Sequence, residues 1–330
     1  MCDNARCRES RIVLMNRLLM IVFASFLAAA LATPSAAALE RPDPAKLRLA
    51  SANVVVIDAA AQRPLYTKAA DDVTPIASLT KLMTAIVVLD AKQPVDEMLE
   101  IDTDDFDYLK GSRSRLRMGS NLSRREMLRL ALMSSENRAA SSLARHYPGG
   151  MPAFVAAMNR KAIALGMTRT HYSDPTGLSA ENVSTANDLA KLVQAAAQYP
   201  VIRDFSTTPA HFVEVHPTGA MLGFNNSNAL VKNTSWDIQL QKTGYIREAG
   251  KCLVMLTNIA SRPTVIVLLD SNGKYTRLGD AQRVKHWLET GEATAPPSTT
   301  SPQRYQGTFT PHPKATAKVV ARNSKAPRGV

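Results

Sequence analysis

Three short motifs place nucleophilic, basic and amide side chains in a fixed order along the chain. They are Ser78-Leu-Thr-Lys81, Ser135-Glu-Asn137 and Lys242-Thr-Gly244. A serine hydroxyl is a poor nucleophile until a base takes its proton, and lysine can act as that base only where burial or nearby cations lower its pKa. The motifs together indicate covalent catalysis with a serine nucleophile and a lysine base.

The order of the motifs matters more than any one of them, because two of the patterns recur in this chain. Ser271-Asn-Gly-Lys274 repeats the first spacing and Ser51-Ala-Asn53 repeats the second. Ser78 opens a predicted helix, where the helix dipole favours negative charge, and Lys81 lies one turn further on the same face. Apolar neighbours on both sides favour a buried pair over the alternative of a helix cap followed by a surface lysine.

The other two motifs are placed to complete a site around Ser78. Ser135 and Asn137 fall between two predicted helices, where Ser135 could relay a proton and Asn137 could hold a substrate amide; a helix-capping loop is the alternative. Lys242, Thr243 and Gly244 lie on a predicted strand, which can pair with an extended peptide if it is an edge strand. Lys242 and Thr243 could then bind a carboxylate or carbonyl, and a strand-end turn is the alternative.

The predicted elements favour an α+β fold with one antiparallel sheet built from both chain ends. Asn53 to Asp58 reads as a buried strand that forms a hairpin with Leu65 to Lys68, and strands are again predicted between residues 211 and 269. The segment from about 95 to 205 is mainly helical, with a capping box at Ser123-Arg-Arg-Glu126. A final helix is predicted over roughly Tyr275 to Leu288. Strands at both ends around a helical insert predict a sheet flanked by helices.

The two termini differ in composition from the body of the 330-residue chain. Residues 1–38 combine early arginines, an apolar run and Ala36-Ala-Ala38, which predicts a secretory signal peptide with a membrane anchor as the alternative. Residues 292–330 contain several prolines, six basic residues and Glu292 as the one acid, which predicts a disordered tail. Much of the +12 charge lies at the ends, so nucleic-acid binding by a folded face is not indicated.

The chain from about residue 53 to 291 resembles the D-alanyl-D-alanine carboxypeptidase and endopeptidase family of low-molecular-mass penicillin-binding proteins. Four segments carry the resemblance: Pro75-Ile-Ala-Ser-Leu-Thr-Lys-Leu-Met-Thr-Ala85, Leu132-Met-Ser-Ser-Glu-Asn-Arg-Ala-Ala140, Asp174-Pro-Thr-Gly-Leu178 and Gln241-Lys-Thr-Gly-Tyr245. The resemblance implies a β-lactamase/transpeptidase-like fold over residues 39–291. Glu136 and His146-Tyr-Pro-Gly-Gly150 are most similar to the endopeptidase subgroup, which cuts the D-Ala to meso-diaminopimelate cross-link of peptidoglycan.

The resemblance also implies a role for each matching residue. Ser78 would form an acyl-enzyme with Lys81 as base, and Ser135, Asn137 and Lys242 would complete the site. The backbone N–H groups of Ser78 and Tyr245 would form an oxyanion hole. Peptidoglycan stem peptides would be the substrates and β-lactams covalent inhibitors, with no metal or other cofactor.

The absence of a β-rich second domain and of a C-terminal anchor favours a soluble periplasmic endopeptidase, without a stable membrane anchor after signal cleavage. A D-alanyl-D-alanine carboxypeptidase of the same chemistry is the nearest alternative. A β-lactamase is less favoured, because no segment resembles the glutamate that class A enzymes use for deacylation. A non-catalytic peptidoglycan-binding protein is less favoured because all three motifs are intact.

Overall fold

The computed structural model describes residues 42–295. The predicted signal peptide lies outside the described residues, as does the predicted tail except for residues 292–295. Within that short segment Thr294 is buried, and its backbone N–H donates to the Lys46 carbonyl at 2.9 Å.

The described residues form α-helices and β-strands that are numbered here in chain order. The helices are α1 (Lys81–Asp90), α2 (Arg124–Met133), α3 (Asn137–Arg145), α4 (Gly150–Ala164), α5 (Ala186–Ala196), α6 (Pro200–Thr207) and α7 (Thr276–Thr290). The strands are β1 (Asn53–Asp58), β2 (Arg63–Lys68), β3 (Thr74–Pro75), β4 (Met98–Glu100), β5 (Asn121–Ser123), β6 (Val183–Ser184), β7 (Ala210–Val215), β8 (Ala220–Asn225), β9 (Asp237–Ile246), β10 (Gly250–Ile259) and β11 (Arg262–Ser271).

The central sheet has five antiparallel strands in the order β2-β1-β11-β10-β9. The N-terminal strand β1 pairs with the C-terminal strand β11, with Val55 opposite Val267. This pairing joins the two ends of the chain in one sheet, as predicted. β9 lies at one edge of the sheet, so one of its sides is not occupied by another strand of this sheet.

Alternating side chains divide the sheet strands between two hydrophobic cores, because successive residues of a strand point to opposite faces. On one face Val55, Val254 and Val267 pack with the apolar sides of helices α1 to α6. On the other face Val54 and Leu253 pack with α7. The larger first core surrounds α1, which is buried over most of its length. The α+β fold expected from the sequence, with one antiparallel sheet built from both chain ends and flanked by helices, is therefore the fold observed.

The helical insert begins at α2, where only half of the predicted capping box forms. The Ser123 hydroxyl accepts from the Glu126 backbone N–H at 3.2 Å, as expected for an N-cap. The Glu126 carboxylate does not bond back to the cap and lies 2.6 Å from His211 Nε2 on β7. The expected bond from the Ser123 N–H to the Glu126 carboxylate was predicted wrongly, because that carboxylate contacts His211, which is distant in sequence.

Helix α6, strand β8 and the two- or three-residue strands β3, β4, β5 and β6 were not predicted. Helix α6 begins at Pro200, a residue that suits the first position of a helix because it lacks an N–H. Strand β8 pairs with β7 in a separate hairpin, although its residues are largely exposed and include Gly223. Helix α6 and strand β8 are short, and neither has the hydrophobic periodicity that identifies longer helices and strands. Within residues 42–295 no helix has the length and apolar character needed to cross a membrane.

Candidate active site

Ser78 lies in a tight turn that leads into α1. Residues Ala77–Thr80 form a 3₁₀ turn, and Thr80 is the residue that precedes the first turn of α1. The Thr80 hydroxyl donates to the Ala77 carbonyl at 2.8 Å. Ser78 makes no capping bond and is only partly buried, so its hydroxyl remains available for other contacts.

The Lys81 amino group contacts the Ser78 hydroxyl and two further oxygens. Its Nζ lies 3.0 Å from Ser78 Oγ, 2.6 Å from Asn137 Oδ1 and 2.7 Å from the Thr176 carbonyl. An ammonium group donates to all three. A neutral amine donates two N–H groups, which suit the amide and carbonyl oxygens, and leaves its lone pair facing Ser78 Oγ. The three neighbours therefore suit a base that takes the Ser78 proton.

Burial favours the neutral form of Lys81. The side chain is fully buried, and desolvation is the largest effect on its pKa, which is lowered to about 7. The carboxylates of Asp174, Glu136 and Asp107 act in the opposite direction and keep the pKa from falling further. A lysine with a pKa in this range can both accept and return a proton near neutral pH.

Ser135 occupies a strained turn between α2 and α3. Its φ of 63° lies in the left-handed region, which costs a residue with a side chain about 1 kcal/mol or more. In that conformation the Ser135 hydroxyl accepts from Lys242 Nζ at 2.8 Å. The strained backbone of Ser135 thus accompanies the hydrogen bond with Lys242 that joins the helical insert to strand β9.

Asn137 is the first residue of α3 and links Lys81 to a loop on the far side of the cleft. Its Oδ1 accepts from Lys81, and its Nδ2 donates to the Ser112 hydroxyl at 2.9 Å. The preceding Glu136 caps α3 by accepting from the Arg138 backbone N–H at 3.2 Å. Burial raises the pKa of Glu136, opposed by hydrogen bonds with the Ser114 side chain and the Arg138 N–H and by the charges of Lys81 and Arg138.

Lys242 projects from β9 into the same buried region. Besides Ser135 it donates to the Thr243 carbonyl at 3.0 Å. Its pKa is lowered well below the ordinary value, first by complete burial and then by the charges of Lys81 and Arg277. Lys242 is therefore a second buried lysine within electrostatic reach of Lys81.

Strand β9 passes very close to the turn that contains Ser78. A Cβ added to Gly244 would lie 3.0 Å from the Ile76 carbonyl and 3.2 Å from the Ser78 nitrogen. Thr243 is buried, and its hydroxyl lies 2.7 Å from that of Ser227. The Tyr245 side chain is 59% exposed, so only its backbone belongs to this close approach. The strand and the turn thus form two sides of one cleft.

Hydrogen bonds join five of the predicted residues into two groups. Ser78, Lys81 and Asn137 form one group, and Ser135 and Lys242 form the other. Thr243, Gly244 and Tyr245 follow Lys242 along β9 at the cleft. All eight predicted site residues therefore line one region of the molecule, whereas Ser271 is buried elsewhere beside Ser51 at 2.6 Å.

Three residues that position the site were not identified as site residues from the sequence. Thr176 supplies its carbonyl to Lys81, and Asp174 shapes that loop by accepting from the Thr176 and Gly177 N–H groups at 2.6 and 2.7 Å. Arg277 donates from Nη1 to the Gly244 carbonyl at 2.8 Å. The Asp174-Pro-Thr-Gly-Leu178 segment was a usable signal, whereas Arg277 carries no motif.

A small apolar cavity opens beside Asn137 and Thr176. Its volume is about 200 Å³, and Phe106, Tyr108 and Leu178 contribute to its walls. Among residues 42–295 no cluster of His, Cys, Asp and Glu has the arrangement of a metal site. The side chains that meet around Ser78 Oγ and Lys242 Nζ are those of serine, lysine and asparagine.

An α+β fold of this kind, with a serine hydroxyl hydrogen-bonded to a buried lysine, places the protein in the class of serine DD-peptidases. Residues 39–273 match the D-alanyl-D-alanine carboxypeptidase family, and the chain belongs to that family. It is 53% identical over 263 residues to a Pseudomonas aeruginosa protein named D-alanyl-D-alanine endopeptidase, covering 80% of this chain and 85% of that protein. An Escherichia coli protein of the same name is 49% identical over 250 residues, with 76% and 81% covered.

A solved structure agrees with the family assignment. The crystal structure of a Streptomyces DD-transpeptidase superposes with a TM-score of 0.68 at 28% identity. The match covers 73% of this chain and 97% of the Streptomyces protein. The cleft described above thus belongs to a fold shared with enzymes that act on D-alanyl peptides.

Proposed function

We propose that this protein is a serine DD-endopeptidase that hydrolyses D-Ala to meso-diaminopimelate cross-links in peptidoglycan, outside the inner membrane. The observation that carries the proposal is the 3.0 Å contact between Ser78 Oγ and the buried Lys81 Nζ, whose pKa is lowered to about 7. The names of the relatives at 53% and 49% identity support the endopeptidase specificity.

Acylation begins when Ser78 Oγ attacks the D-Ala carbonyl carbon and Lys81 takes the hydroxyl proton. The carbonyl oxygen becomes an oxyanion, held by the backbone N–H groups of Ser78 and Tyr245 on either side of the cleft. The C–N bond then breaks, and the leaving amine receives a proton from Lys81 through the Ser135 hydroxyl. Water subsequently attacks the carbonyl carbon of the Ser78 ester as Lys81 takes its proton. The C–Oγ bond then breaks, the peptide leaves with a new carboxyl group, and Lys81 returns the proton to Ser78 Oγ.

The remaining predicted residues bind the substrate in this scheme. An extended stem peptide pairs with the edge of β9, where Gly244 permits close approach. The Thr243 hydroxyl and the Lys242 amino group face the substrate carboxylate, and the Asn137 amide holds a substrate amide. Every proton and electron pair comes from side chains, substrate or water, so the scheme uses no cofactor. β-Lactams acylate the same Ser78 hydroxyl.

The products of a purified substrate test this proposal. Wild-type protein is expected to convert cross-linked muropeptide dimers to monomers and to be labelled by a fluorescent penicillin. Ser78→Ala should abolish both, whereas Ser271→Ala, which alters the serine of the second Ser-x-x-Lys sequence, should keep both in folded protein. Equal penicillin labelling of wild type and Ser78→Ala would exclude Ser78 as the nucleophile.

A D-alanyl-D-alanine carboxypeptidase is the second candidate, because the matched family carries that description. Both activities use the same acylation at Ser78 and differ in the leaving group. Release of terminal D-Ala from monomeric pentapeptides, with dimers left intact, would favour the carboxypeptidase.

Export of the protein is part of the same proposal. Residues 1–38 would be removed as a signal peptide, leaving a mature chain in the periplasm. The mass of the protein recovered from the periplasm should then correspond to a chain that begins near residue 39. Retention of the first 38 residues in that fraction would contradict cleavage.

A further inference from the structure

A chain of hydrogen bonds connects a loop outside the three motifs to the candidate base. The loop covers residues 107–112, and its Ser112 hydroxyl lies 2.9 Å from Asn137 Nδ2. Asn137 Oδ1 in turn lies 2.6 Å from Lys81 Nζ. The two ends of one amide group therefore contact the loop and the base.

Asp107 holds this loop in a tight turn. Its Oδ1 accepts from the backbone N–H groups of Leu109 and Lys110 at 2.9 and 2.8 Å, and its Oδ2 accepts from that of Ser112 at 2.8 Å. The Ser112 side chain also hydrogen-bonds to this carboxylate. Burial raises the pKa of Asp107, but these hydrogen bonds outweigh burial and hold the pKa below its ordinary value. The carboxylate is therefore ionised near neutral pH.

An ionised carboxylate fixes the direction of each hydrogen bond in the chain, because it can only accept. The Ser112 hydroxyl has one hydrogen, which it donates to Asp107. The Ser112 oxygen is then an acceptor on its other side, so Asn137 must present Nδ2 to the loop. Oδ1 of the same amide accordingly faces Lys81. The direction of the hydrogen bond at the base thus follows from a carboxylate two side chains away.

The orientation of the Asn137 amide decides whether Lys81 can act as a base. With Oδ1 toward it, neutral Lys81 donates one N–H to the amide and directs its lone pair at Ser78 Oγ. A half-turn of the amide would exchange Oδ1 and Nδ2. Nδ2 would then donate to the lone pair, and Lys81 could not take the Ser78 proton. The half-turn would also set Oδ1 against the Ser112 oxygen with no hydrogen between them, which is unfavourable for partly buried groups.

We propose that Asp107 and Ser112 are positioning residues for the Asn137 amide. They hold its oxygen toward Lys81, so that the lone pair of Lys81 stays available for the Ser78 proton. This rests on the role of Lys81 as the base in the proposed function. Neither positioning residue touches the reacting atoms, and each acts through Asn137. The second Nδ2 hydrogen can then serve the substrate amide without reorientation of the side chain.

Ser112→Ala tests the proposal, because it removes the hydroxyl and keeps the backbone N–H that bonds Asp107. The plateau rate of acylation by a fluorescent penicillin should fall about fivefold or more, since misplacement of a group beside the reacting atoms is costly. The pH of half-maximal acylation should also move below that of the wild type. An amide donor in place of an acceptor stabilises the neutral form of Lys81, and this lowers the midpoint.

The direction of this pH change separates positioning from a loosened loop. Water admitted beside Lys81 would stabilise its ammonium form and move the midpoint up, toward the ordinary pKa of lysine. The charged groups around Lys81 stay the same in the variant. They are the carboxylates of Asp174, Glu136 and Asp107 and the neighbouring Lys242 on β9. A lower midpoint together with a lower plateau is therefore the signature of a turned amide.

Two single variants serve as controls. Ser112→Thr keeps a hydroxyl at this position and should acylate within about twofold of the wild-type rate. Thr103→Ala removes another hydroxyl that donates to a carboxylate, that of Asp102 at 3.0 Å, at an exposed site shortly before the loop. This change should leave both the plateau rate and the midpoint as in the wild type. Melting temperatures establish that each variant is folded.

A double-mutant cycle tests whether Ser112 acts through Asn137. Asn137→Ala alone should lower acylation, because the base and the substrate both lose a partner. Adding Ser112→Ala to this variant should change the residual rate by less than about twofold, since residues that act through one another are not additive. A further loss as large as that in the wild-type background would overturn the proposal, because Ser112 would then act by another route.

The outcomes also separate this proposal from the proposed function. An unchanged plateau rate in Ser112→Ala, or a midpoint that is unchanged or raised, shows that the positioning proposal is wrong and leaves Lys81 as the base. If acylation of the wild type does not depend on pH, Lys81 is not the base and the positioning proposal fails with it. If penicillin does not label the wild type at Ser78, the proposed function itself fails.

Discussion

Lys81 and Lys242 show how two lysines acquire unusual properties through their surroundings. Both are fully buried, and burial is the largest cause of their lowered pKa values. Each also retains oxygen partners: Ser78, Asn137 and Thr176 for Lys81, and Ser135 for Lys242. Burying an ammonium group without such partners would be far more costly. The surroundings that lower the pKa values of these lysines by burial also supply the oxygen atoms that accept their hydrogen bonds.

The lowered pKa of Lys81 predicts how acylation depends on pH. Because the neutral amine accepts the Ser78 proton, the acylation rate constant for penicillin should rise with pH and level off above about 7. Below that pKa the neutral fraction changes about tenfold for each pH unit. The measurement is the second-order rate of labelling by a fluorescent penicillin across this range.

A substitution that keeps the charge provides the control for this profile. Lys81→Arg retains a cation that does not lose its proton in proteins, so labelling should be lost at every pH. A wild-type profile with no dependence on pH would exclude Lys81 as the base.

At the scale of elements, the cleft depends on the close approach of two loops and a strand. Gly177 has a φ of 80°, and a Cβ there would lie only 1.9 Å from the Ala77 carbonyl. The loop that supplies Thr176 to Lys81 is therefore in contact with the turn that carries Ser78. Gly244 allows the same closeness on the β9 side. Small residues at these two positions permit three elements to meet at one serine.

Gly177→Ala should separate these elements. The added methyl cannot fit against the Ala77 backbone, so Thr176 or Ser78 must move, and penicillin acylation should fall by about tenfold or more, since small displacements of reacting groups are costly. The measurement is the acylation rate of the folded variant, with its melting temperature recorded alongside.

Gly166→Ala is the matched control for the backbone strain alone. Gly166 has a φ of 69°, and a Cβ there would have no atom within 4 Å. It should cost about 1 kcal/mol of stability, from the left-handed conformation, and leave acylation unchanged. Equal acylation rates in both variants would show that contact between the Gly177 loop and the Ser78 turn is not needed.

At the scale of the whole molecule, the sheet separates two cores with different roles. The core between the sheet and α1 to α6 surrounds the Ser78 and Lys81 end of α1. The core under α7 packs Trp287 against the opposite face, where its Nε1 donates to the Asp43 carbonyl at 2.9 Å. This second core joins the N-terminal segment, the sheet and the last helix. We expect the apolar contacts of this core to contribute to stability rather than to the chemistry of the cleft.

Trp287→Ala tests this division. Removing a fully buried tryptophan should lower the free energy of unfolding by about 3–5 kcal/mol, through lost burial and a cavity. The rate of penicillin acylation by the folded protein should stay within about twofold of wild type. Denaturant unfolding and acylation at low temperature measure the two quantities.

Met221→Ala serves as the comparison, since Met221 is 61% exposed on β8 and should change stability by less than about 0.5 kcal/mol. A large loss of acylation in folded Trp287→Ala protein would show that the α7 core also positions the Ser78 site.

The sequence by itself determined the order of the motifs, the strands at both ends and most helices. These follow from local signals, such as side-chain periodicity and spacing, that do not require the folded chain. Ser78 was distinguished from Ser271 in this way, by its order relative to the other motifs. Short elements without periodicity, such as α6 and β8, were missed for the same reason.

Only the tertiary structure decided which groups surround the two lysines. Lys242 meets Ser135 across 107 residues, and Lys81 meets the Thr176 carbonyl across 95. A carbonyl has no residue type to recognise, and the full burial that lowers the Lys81 pKa exists only when distant segments pack around it. The bond from Arg277 to Gly244 likewise joins α7 to β9. Contacts of this kind depend on the packing of the whole chain, which no local pattern specifies.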